Sequence, residues 1–120
     1  MLSDHRIHLH VYGLRNCDRC RGALRWLEMR RVPHTFHDVR QEGLDPKRLD
    51  SWLESAHRPF LVNRRSTTWR QLSQDERQRA DTEATKLLLD HPTLLKRPVI
   101  TDGRTVLDVG FEPENLEGYI

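Results

Sequence analysis

Near its start, the chain alternates apolar and polar side chains and then changes to a helical spacing. Residues 7–12 alternate in this way, which predicts a β-strand that Gly13 ends. Asn16 is placed to cap a helix that begins at about Cys17, and Pro33 is expected to stop that helix. The predicted buried face of the helix follows a spacing of three or four residues: Cys20, Ala23, Leu24, Leu27 and Arg31.

A second strand is predicted directly after this helix. Residues 34–39 are rich in β-forming side chains. A strand, a helix and a strand therefore follow one another within about 33 residues, which favours a right-handed parallel βαβ unit.

The middle of the chain is predicted to be helical. A proline in the first turn opens a helix over residues 45–55. Ser73 followed by Glu76 is a capping-box pattern, so a further helical segment is expected over residues 73–90. The segment between these helices, residues 58–72, is expected to be rich in loops.

The last part of the chain predicts a hairpin and a closing helix. Two short strands, residues 99–101 and 105–109, flank the turn signal Asp102-Gly103. Residues 113–119 have the pattern of a short helix.

The order of these elements is β-α-β, a helical segment, then β-β-α. This order is typical of the α/β class with a thioredoxin-like fold, here with extra helices inserted between its two halves. We expect a single domain over residues 7–120, preceded by a flexible tail at residues 1–6.

Composition and charge narrow the range of partners. The 20 basic and 18 acidic side chains give a net charge of +2 and are dispersed along the chain, so we expect no nucleic-acid partner. No apolar run approaches the roughly 20 residues that span a bilayer, so we expect no membrane partner. The expectation is a cytoplasmic monomer.

The two cysteines of the chain, Cys17 and Cys20, stand three positions apart. A pair this close cannot staple a domain, and a structural zinc site would need further ligands. Redox or nucleophilic chemistry remains, and we expect no metal site. Histidines at two-residue spacing, such as His8 and His10, can bind metal but more often fill one face of a sheet.

The predicted position of Cys17, where a strand passes into a helix, favours its thiolate. Backbone N–H groups and the helix dipole stabilise negative charge there, and we expect Arg15, Arg19 and Arg21 to crowd around the sulfur. Cys17 is therefore the predicted attacking thiol. Cys20, one helical turn further, is the predicted thiol that resolves the mixed disulfide, although it could instead pack as a small apolar side chain.

Five short segments carry a family resemblance. They are Asn16-Cys17-Asp18, Arg65-Ser66-Thr67-Thr68-Trp69-Arg70, His91-Pro92, Lys96-Arg97-Pro98-Val99 and Val109-Gly110-Phe111. With them the chain resembles the arsenate-reductase-like (ArsC/Spx/YffB) family over about residues 7–120, and most of all its YffB-type branch. The resemblance implies a thioredoxin fold with a helical insertion.

The resemblance also implies a co-substrate and further site residues. The YffB branch is thought to consist of glutathione-dependent thiol reductases, so glutathione or a thiol donor protein is the expected partner, with no tightly bound cofactor. The family pattern implies a cis bond between Arg97 and Pro98 beside Cys17. Arg65 and Arg97 are suited to bind glutathione carboxylates or an oxyanion, the alternative being that both are simply solvated. The residues expected to bind substrate or glutathione are Asn16, Arg65, Arg97 and Pro98.

One departure from the family pattern concerns the substrate. Arsenate reductases that are coupled to glutaredoxin hold their oxyanion with the cysteine and three arginines. Arg97 matches one of these, but Asn63 stands at the second position and no arginine stands near Val109-Gly110, the third. Arsenate is therefore the less favoured substrate.

A second departure concerns the cysteine pair. YffB-type proteins usually have one cysteine in the motif, whereas Cys17-Asp18-Arg19-Cys20 resembles the paired-cysteine switch of Spx, a regulator that binds RNA polymerase. The main hypothesis is a glutathione-linked thiol reductase, and a redox-switched regulator of the Spx kind is the alternative.

Overall fold

The computed structural model describes residues 7–120, so the tail predicted for residues 1–6 lies outside the described range. In chain order the elements are β1 (Leu9–Gly13), α1 (Asp18–Met29), β2 (His34–Asp38), α2 (Val39–Glu42), α3 (Pro46–Leu53), α4 (Arg58–Leu61), α5 (Thr67–Gln71), α6 (Gln74–Thr82), α7 (Ala84–Asp90), a 3-10 turn (Pro92–Leu94), β3 (Val99–Thr101), β4 (Val106–Val109) and α8 (Glu114–Glu117).

The chain divides into two compact units. Within the described range, the first unit takes in residues 7–38 and 97–120, and the second takes in residues 39–96. The single domain expected from the sequence stays a prediction.

The first unit is built on one four-stranded sheet with the order β2-β1-β3-β4. β1 and β2 run parallel, as the βαβ pattern predicts, and the β3–β4 hairpin joins β1 in antiparallel orientation. Together with α1 and α8, this sheet has the thioredoxin-like arrangement, so the predicted fold class is confirmed.

The core of the first unit lies on one face of this sheet. Leu9 and Val11 of β1 pack with Ala23 and Leu27 of α1 and with Leu116 of α8. All five side chains are fully buried. Burying each leucine contributes on the order of 2 kcal/mol, so this cluster fixes α1 on the sheet.

Two boundaries of the first unit differ from the prediction. The first strand begins at Leu9 rather than at residue 7, and it includes Gly13 as its last residue. α1 ends at Met29, before Pro33, because Arg31 adopts a left-handed conformation with φ of 56° and turns the chain towards β2. Arg31 is therefore exposed and does not belong to the buried face.

The second unit consists of helices whose starts follow the sequence signals. Asp45 caps α3 by accepting a hydrogen bond from the Lys47 N–H. Ser73 and Glu76 form the predicted capping box at the start of α6. The helical segment predicted up to residue 90 is interrupted at Glu83 and forms two helices, α6 and α7.

Residues 58–72 are not the loop-rich segment that the sequence predicts, because α4 and α5 lie within them. α5 begins where the Ser66 hydroxyl accepts a hydrogen bond from the Trp69 N–H, 3.1 Å away. Ser66 was therefore an available helix-start signal. Among residues 7–120, no helix combines the length and apolar character needed to cross a bilayer.

Candidate active site

Cys17 stands at the N-terminal boundary of α1, directly after the β1–α1 turn. Its backbone is extended (φ −99°, ψ 123°), and its carbonyl accepts the first helical hydrogen bond, from the Arg21 N–H at 2.9 Å. Cys17 is therefore itself the N-cap residue, and the prediction that Asn16 caps this helix is wrong. The free N–H groups of the first turn point towards its half-buried side chain.

Cys20 lies one turn further along α1 and is buried against β1. Its exposed fraction is 1%. A Cβ atom added to Gly13 would lie only 2.3 Å from the Cys20 sulfur. Gly13 is thus required for the close approach of helix and strand, since any side chain there would displace Cys20.

The two thiols, both free, have opposite acidities. Partial burial, the largest single influence, acts to raise the pKa of Cys17, but hydrogen bonds from the backbone N–H and thiol of Cys20 and from the backbone N–H of Arg19 outweigh it. The positive charge of Arg97 adds to them, and the pKa of Cys17 falls below its ordinary value.

The Cys20 thiol remains protonated at neutral pH. Burial raises its pKa to about 12, opposed by a backbone hydrogen bond at Leu14 and assisted by the hydrogen bond to Cys17 and the charge of the Cys17 thiolate. Cys20 is therefore a neutral donor to the Cys17 sulfur, and the opposite pKa shifts of the two thiols depend on the same contact.

The arginines of the motif do not crowd around the thiolate, contrary to the prediction. Arg15 turns towards Asp38, 3.9 Å away, and over the Phe36 ring. Arg21 pairs with Asp18. Both guanidinium groups therefore pair with carboxylates. The number of arginines near Cys17 in the sequence overestimated the positive charge around its sulfur.

Arg19 instead joins α1 to the loop after β4. Its Nη1 donates to the carbonyl oxygens of Gly110 and Phe111, at 3.2 Å and 3.5 Å. Both residues have positive φ, 86° and 65°, and the Phe111 ring packs edge-on against Trp26 at 5.8 Å. Sequence reasoning missed this tie because the two segments are more than 90 positions apart.

Arg97 supplies the positive charge that acts on both cysteines. The Arg97-Pro98 peptide bond is cis, as the resemblance implies. The Pro98 carbonyl accepts a hydrogen bond from the Gly110 N–H at 2.8 Å. The Arg97 Nε atom is buried and has no hydrogen-bond partner within residues 7–120, so this donor is available to an incoming anionic group.

The two other predicted binding residues occupy different places. Asn16 is exposed and stands immediately before Cys17 in the chain. Arg65 belongs to the second unit, where its side chain is exposed and its backbone N–H donates to Asn63 Oδ1 at 3.1 Å. A binding role stays a prediction for both residues.

The histidines of β1 and β2 interact with one another and with the sheet. His8 Nε2 lies 2.7 Å from Thr35 Oγ1, and His10 Nδ1 lies 2.9 Å from His37 Nε2. The His37 ring also stacks on Tyr12 at 4.4 Å. These side chains occupy the face of the sheet opposite α1, which is the role that the sequence favoured over metal binding.

The fold and this site define a class: thioredoxin-fold proteins with a cysteine pair at the start of the first helix. The chain matches the model of the ArsC family over residues 12–119, and it belongs to that family.

Known proteins similar to this chain include both structures and sequences. A solved structure of a protein named YFFB superposes with a TM-score of 0.83 at 31% identity, covering 92% of this chain and 97% of that one. An uncharacterized protein of Haemophilus influenzae is 40% identical, over 89% of this chain and 94% of its own length. Global transcriptional regulator Spx 2 of Bacillus anthracis is 26% identical, over 92% and 85%. The predicted resemblance to the ArsC, Spx and YffB proteins is thus confirmed.

Proposed function

We propose that this protein is a thiol reductase that cleaves a disulfide, or a mixed disulfide with glutathione, through the Cys17 thiolate. The observation that carries the proposal is the opposite acidity of the two thiols at the start of α1. Cys17 is half-buried with a lowered pKa, whereas Cys20 is buried and protonated and donates to it. An accessible thiolate with a neighbouring neutral thiol is what disulfide exchange requires.

The reaction takes place in two exchanges. The Cys17 sulfur attacks one sulfur of the substrate disulfide, forms a mixed disulfide and releases the other sulfur as a thiol. Cys20 then attacks the Cys17 sulfur, forms the Cys17–Cys20 disulfide and releases the second substrate thiol. The two electrons come from the cysteine pair, and two molecules of glutathione restore the dithiol by the reverse exchanges.

Arginine side chains are suited to bind the carboxylates of glutathione. The Arg97 guanidinium keeps a buried donor unused and lies close enough to Cys17 to lower its pKa. Planar guanidinium groups bind carboxylates through paired hydrogen bonds. We propose Arg97 as the main glutathione-binding residue. The further candidates are Asn16, Pro98 and Arg65.

The pH dependence of thiol alkylation tests the attacking role of Cys17. In the reduced protein, we expect the rate at Cys17 to reach half of its maximum below the pH at which a free cysteine does, about 8.5. Cys17→Ser should abolish the fast reaction. Cys20→Ser should keep the attack but accumulate a mixed disulfide with oxidised glutathione, detected by mass spectrometry. A half-maximum at or above that of free cysteine would remove the proposal.

A redox-switched regulator is the second candidate, supported by the Spx relatives and by the cysteine pair. In that case the Cys17–Cys20 disulfide would change the affinity for RNA polymerase, and turnover with glutathione would be slow. A pull-down of RNA polymerase with the reduced and the oxidised protein distinguishes the two candidates. Arsenate reduction has less support, because two of the three family arginine positions lack an arginine.

A further inference from the structure

Arg19 stands between the two cysteines, but its side chain reaches a different part of the first unit. The Arg19 Nη1 atom donates to the carbonyl oxygens of Gly110 and Phe111, at 3.2 Å and 3.5 Å. Arg19 is exposed, and an exposed arginine gives up side-chain entropy when it is held in one place. The contact therefore has a cost, and neither of the two exchanges above uses it.

The turn that receives Arg19 has a strained backbone. Gly110 and Phe111 both have positive φ, 86° and 65°. Glycine adopts this left-handed region freely, but a bulky aromatic residue does so rarely and at a cost. Such a conformation persists only where the surrounding structure holds it. The contacts around Phe111 therefore decide whether the turn keeps its shape.

Three contacts hold the turn. The Phe111 ring packs edge-on against Trp26 of α1, with 5.8 Å between the ring centres. On the far side, both carboxylate oxygens of the buried Asp108 accept from the Glu112 N–H, at 3.1 Å and 3.0 Å. Arg19 supplies the third contact, at the carbonyl groups of the turn itself. Its positive charge makes these hydrogen bonds stronger than neutral ones.

Gly110 also connects Arg19 to the segment before β3. The Gly110 N–H donates to the Pro98 carbonyl at 2.8 Å, while the Gly110 carbonyl accepts from Arg19. Pro98 directly follows Arg97, whose charge acts on both cysteines. Within residues 7–120, the buried Nε atom of Arg97 has no hydrogen-bond partner. No hydrogen bond at Nε holds this side chain, so its distance from Cys17 depends on where its backbone lies.

Arg97 is the cation from a distant segment whose charge favours the Cys17 thiolate. The neighbouring arginines of the motif, Arg15 and Arg21, each pair with an aspartate. The other thiol, Cys20, keeps its proton. Because the Coulomb interaction between Arg97 and the thiolate weakens with distance, the position of this guanidinium sets how much it stabilises the sulfur.

We propose that Arg19 is a positioning residue that keeps the Arg97 guanidinium close to the Cys17 sulfur. It acts through the strained turn, whose Gly110 holds the Pro98 carbonyl. This assignment rests on the proposed thiol reductase function, in which the Cys17 thiolate attacks. Without the Arg19 side chain, the turn relaxes and Gly110 shifts from Pro98. Arg97 then moves relative to Cys17, and the thiolate loses part of its stabilisation.

A double-mutant cycle on the pKa of Cys17 tests this route. The pKa is measured from the pH dependence of thiol alkylation in the reduced protein. We expect Arg19→Met and Arg97→Met each to raise this pKa by about 0.5 to 1. In the Arg97→Met background, Arg19→Met should raise it by less than about 0.2, because the residue through which Arg19 acts is already absent.

Arg25→Met is the matched control, since it removes an exposed cation from the same helix and should change the pKa of Cys17 by less than about 0.2. If the full effect of Arg19→Met persists without Arg97, it comes from the charge of Arg19 itself, and the positioning role is overturned. An unchanged pKa in folded Arg19→Met or Arg97→Met protein overturns that role as well, whatever happens to stability. A wild-type pKa at or above that of free cysteine, about 8.5, overturns the proposed function and this assignment with it.

Discussion

At the scale of single residues, one motif gives two cysteines different chemical states. Cys17 sits at the helix boundary, where backbone N–H groups and the charge of Arg97 favour its thiolate. Cys20 is packed on Gly13, where burial keeps its proton. The division of roles between the attacking and the resolving thiol therefore depends on a contact as small as a missing Cβ atom.

Gly13→Ala should destabilise the protein through this contact. The added methyl group would overlap the Cys20 sulfur, so helix and strand must separate, at a cost of about 1–3 kcal/mol in the free energy of unfolding. Urea denaturation of the reduced protein measures the cost. Gly118→Ala is the matched control, because nothing lies within 4 Å of the added atom. Cys20→Ala should relieve the Gly13→Ala penalty, and purely additive effects would refute the clash.

The raised pKa of Cys20 predicts a loss of stability at alkaline pH. The native thiol keeps its proton up to about pH 12, whereas the unfolded chain loses it near pH 8.5, so above this pH the unfolded state binds fewer protons. The contribution of Cys20 is complete below about pH 8.5 and falls by about 1.4 kcal/mol per pH unit above it. The lowered pKa of Cys17 also stabilises the native state, but above about pH 8.5 this contribution no longer changes with pH.

Denaturation of reduced wild type and Cys20→Ala between about pH 7 and pH 10.5 measures this effect. The difference in unfolding free energy between the two proteins should be level at first and shrink above about pH 8.5. A level difference across the whole range would mean that native Cys20 ionises as easily as the unfolded cysteine.

At the scale of elements, capping side chains mark the starts of α3, α5 and α6, whereas α1 begins differently. Cys17 takes the boundary of α1 without a side-chain cap, which leaves the first N–H groups free for a sulfur. Other helices use ordinary caps, such as the capping box at α6. The helices α4, α7 and α8 also begin without a side-chain cap, but at α1 the residue at this boundary is a cysteine.

Ser73→Ala should destabilise the second unit. The Ser73 hydroxyl accepts from the Glu76 N–H at 3.1 Å, and Glu76 Oε1 accepts from the Ser73 N–H at 2.9 Å. Loss of the hydroxyl should cost about 0.5–2 kcal/mol in chemical denaturation. Ser51→Ala, at an exposed position within α3, is the control and should change stability by less than about 0.5 kcal/mol. Equal effects of the two substitutions would exclude a role of the cap.

At the scale of the whole molecule, the native fold favours the reduced form. Hydrogen bonds and the Arg97 charge stabilise the Cys17 thiolate only when the disulfide is open. The unfolded chain offers no such stabilisation. The Cys17–Cys20 disulfide should therefore be reduced more easily in the native protein than in the unfolded chain. The reduction potential of this disulfide should lie above the roughly −300 mV of structural disulfides.

Thermal unfolding of the two redox forms tests this linkage. We expect the reduced protein to have the higher Tm, since stabilising the native thiolate is equivalent to destabilising the native disulfide. A variant in which both cysteines are replaced by serine should show the same Tm under reducing and oxidising conditions. A higher Tm for the oxidised wild type would contradict the expectation.

Local patterns in the sequence determined much of the fold and one half of the site. Alternation predicted the first strand, and the serine and glutamate of the capping box predicted the start of α6, because these signals act within a few residues. The position of Cys17 after a strand and before a helix predicted a stabilised thiolate. The same local patterns gave the wrong end for α1 and the wrong prediction for residues 58–72. A single left-handed residue and two short helices leave only weak periodic signals in a sequence.

Only the tertiary structure decided which charged groups reach the cysteines. Arg15, Arg19 and Arg21 are close to Cys17 in sequence, yet each binds elsewhere, because a flexible guanidinium goes to whichever partner the fold presents. Arg97 acts on the thiolate from a distant segment that the sheet brings near. Asp38 meets Gly13 through the register of two parallel strands, which is set by packing the whole sheet and has no local signature in the chain.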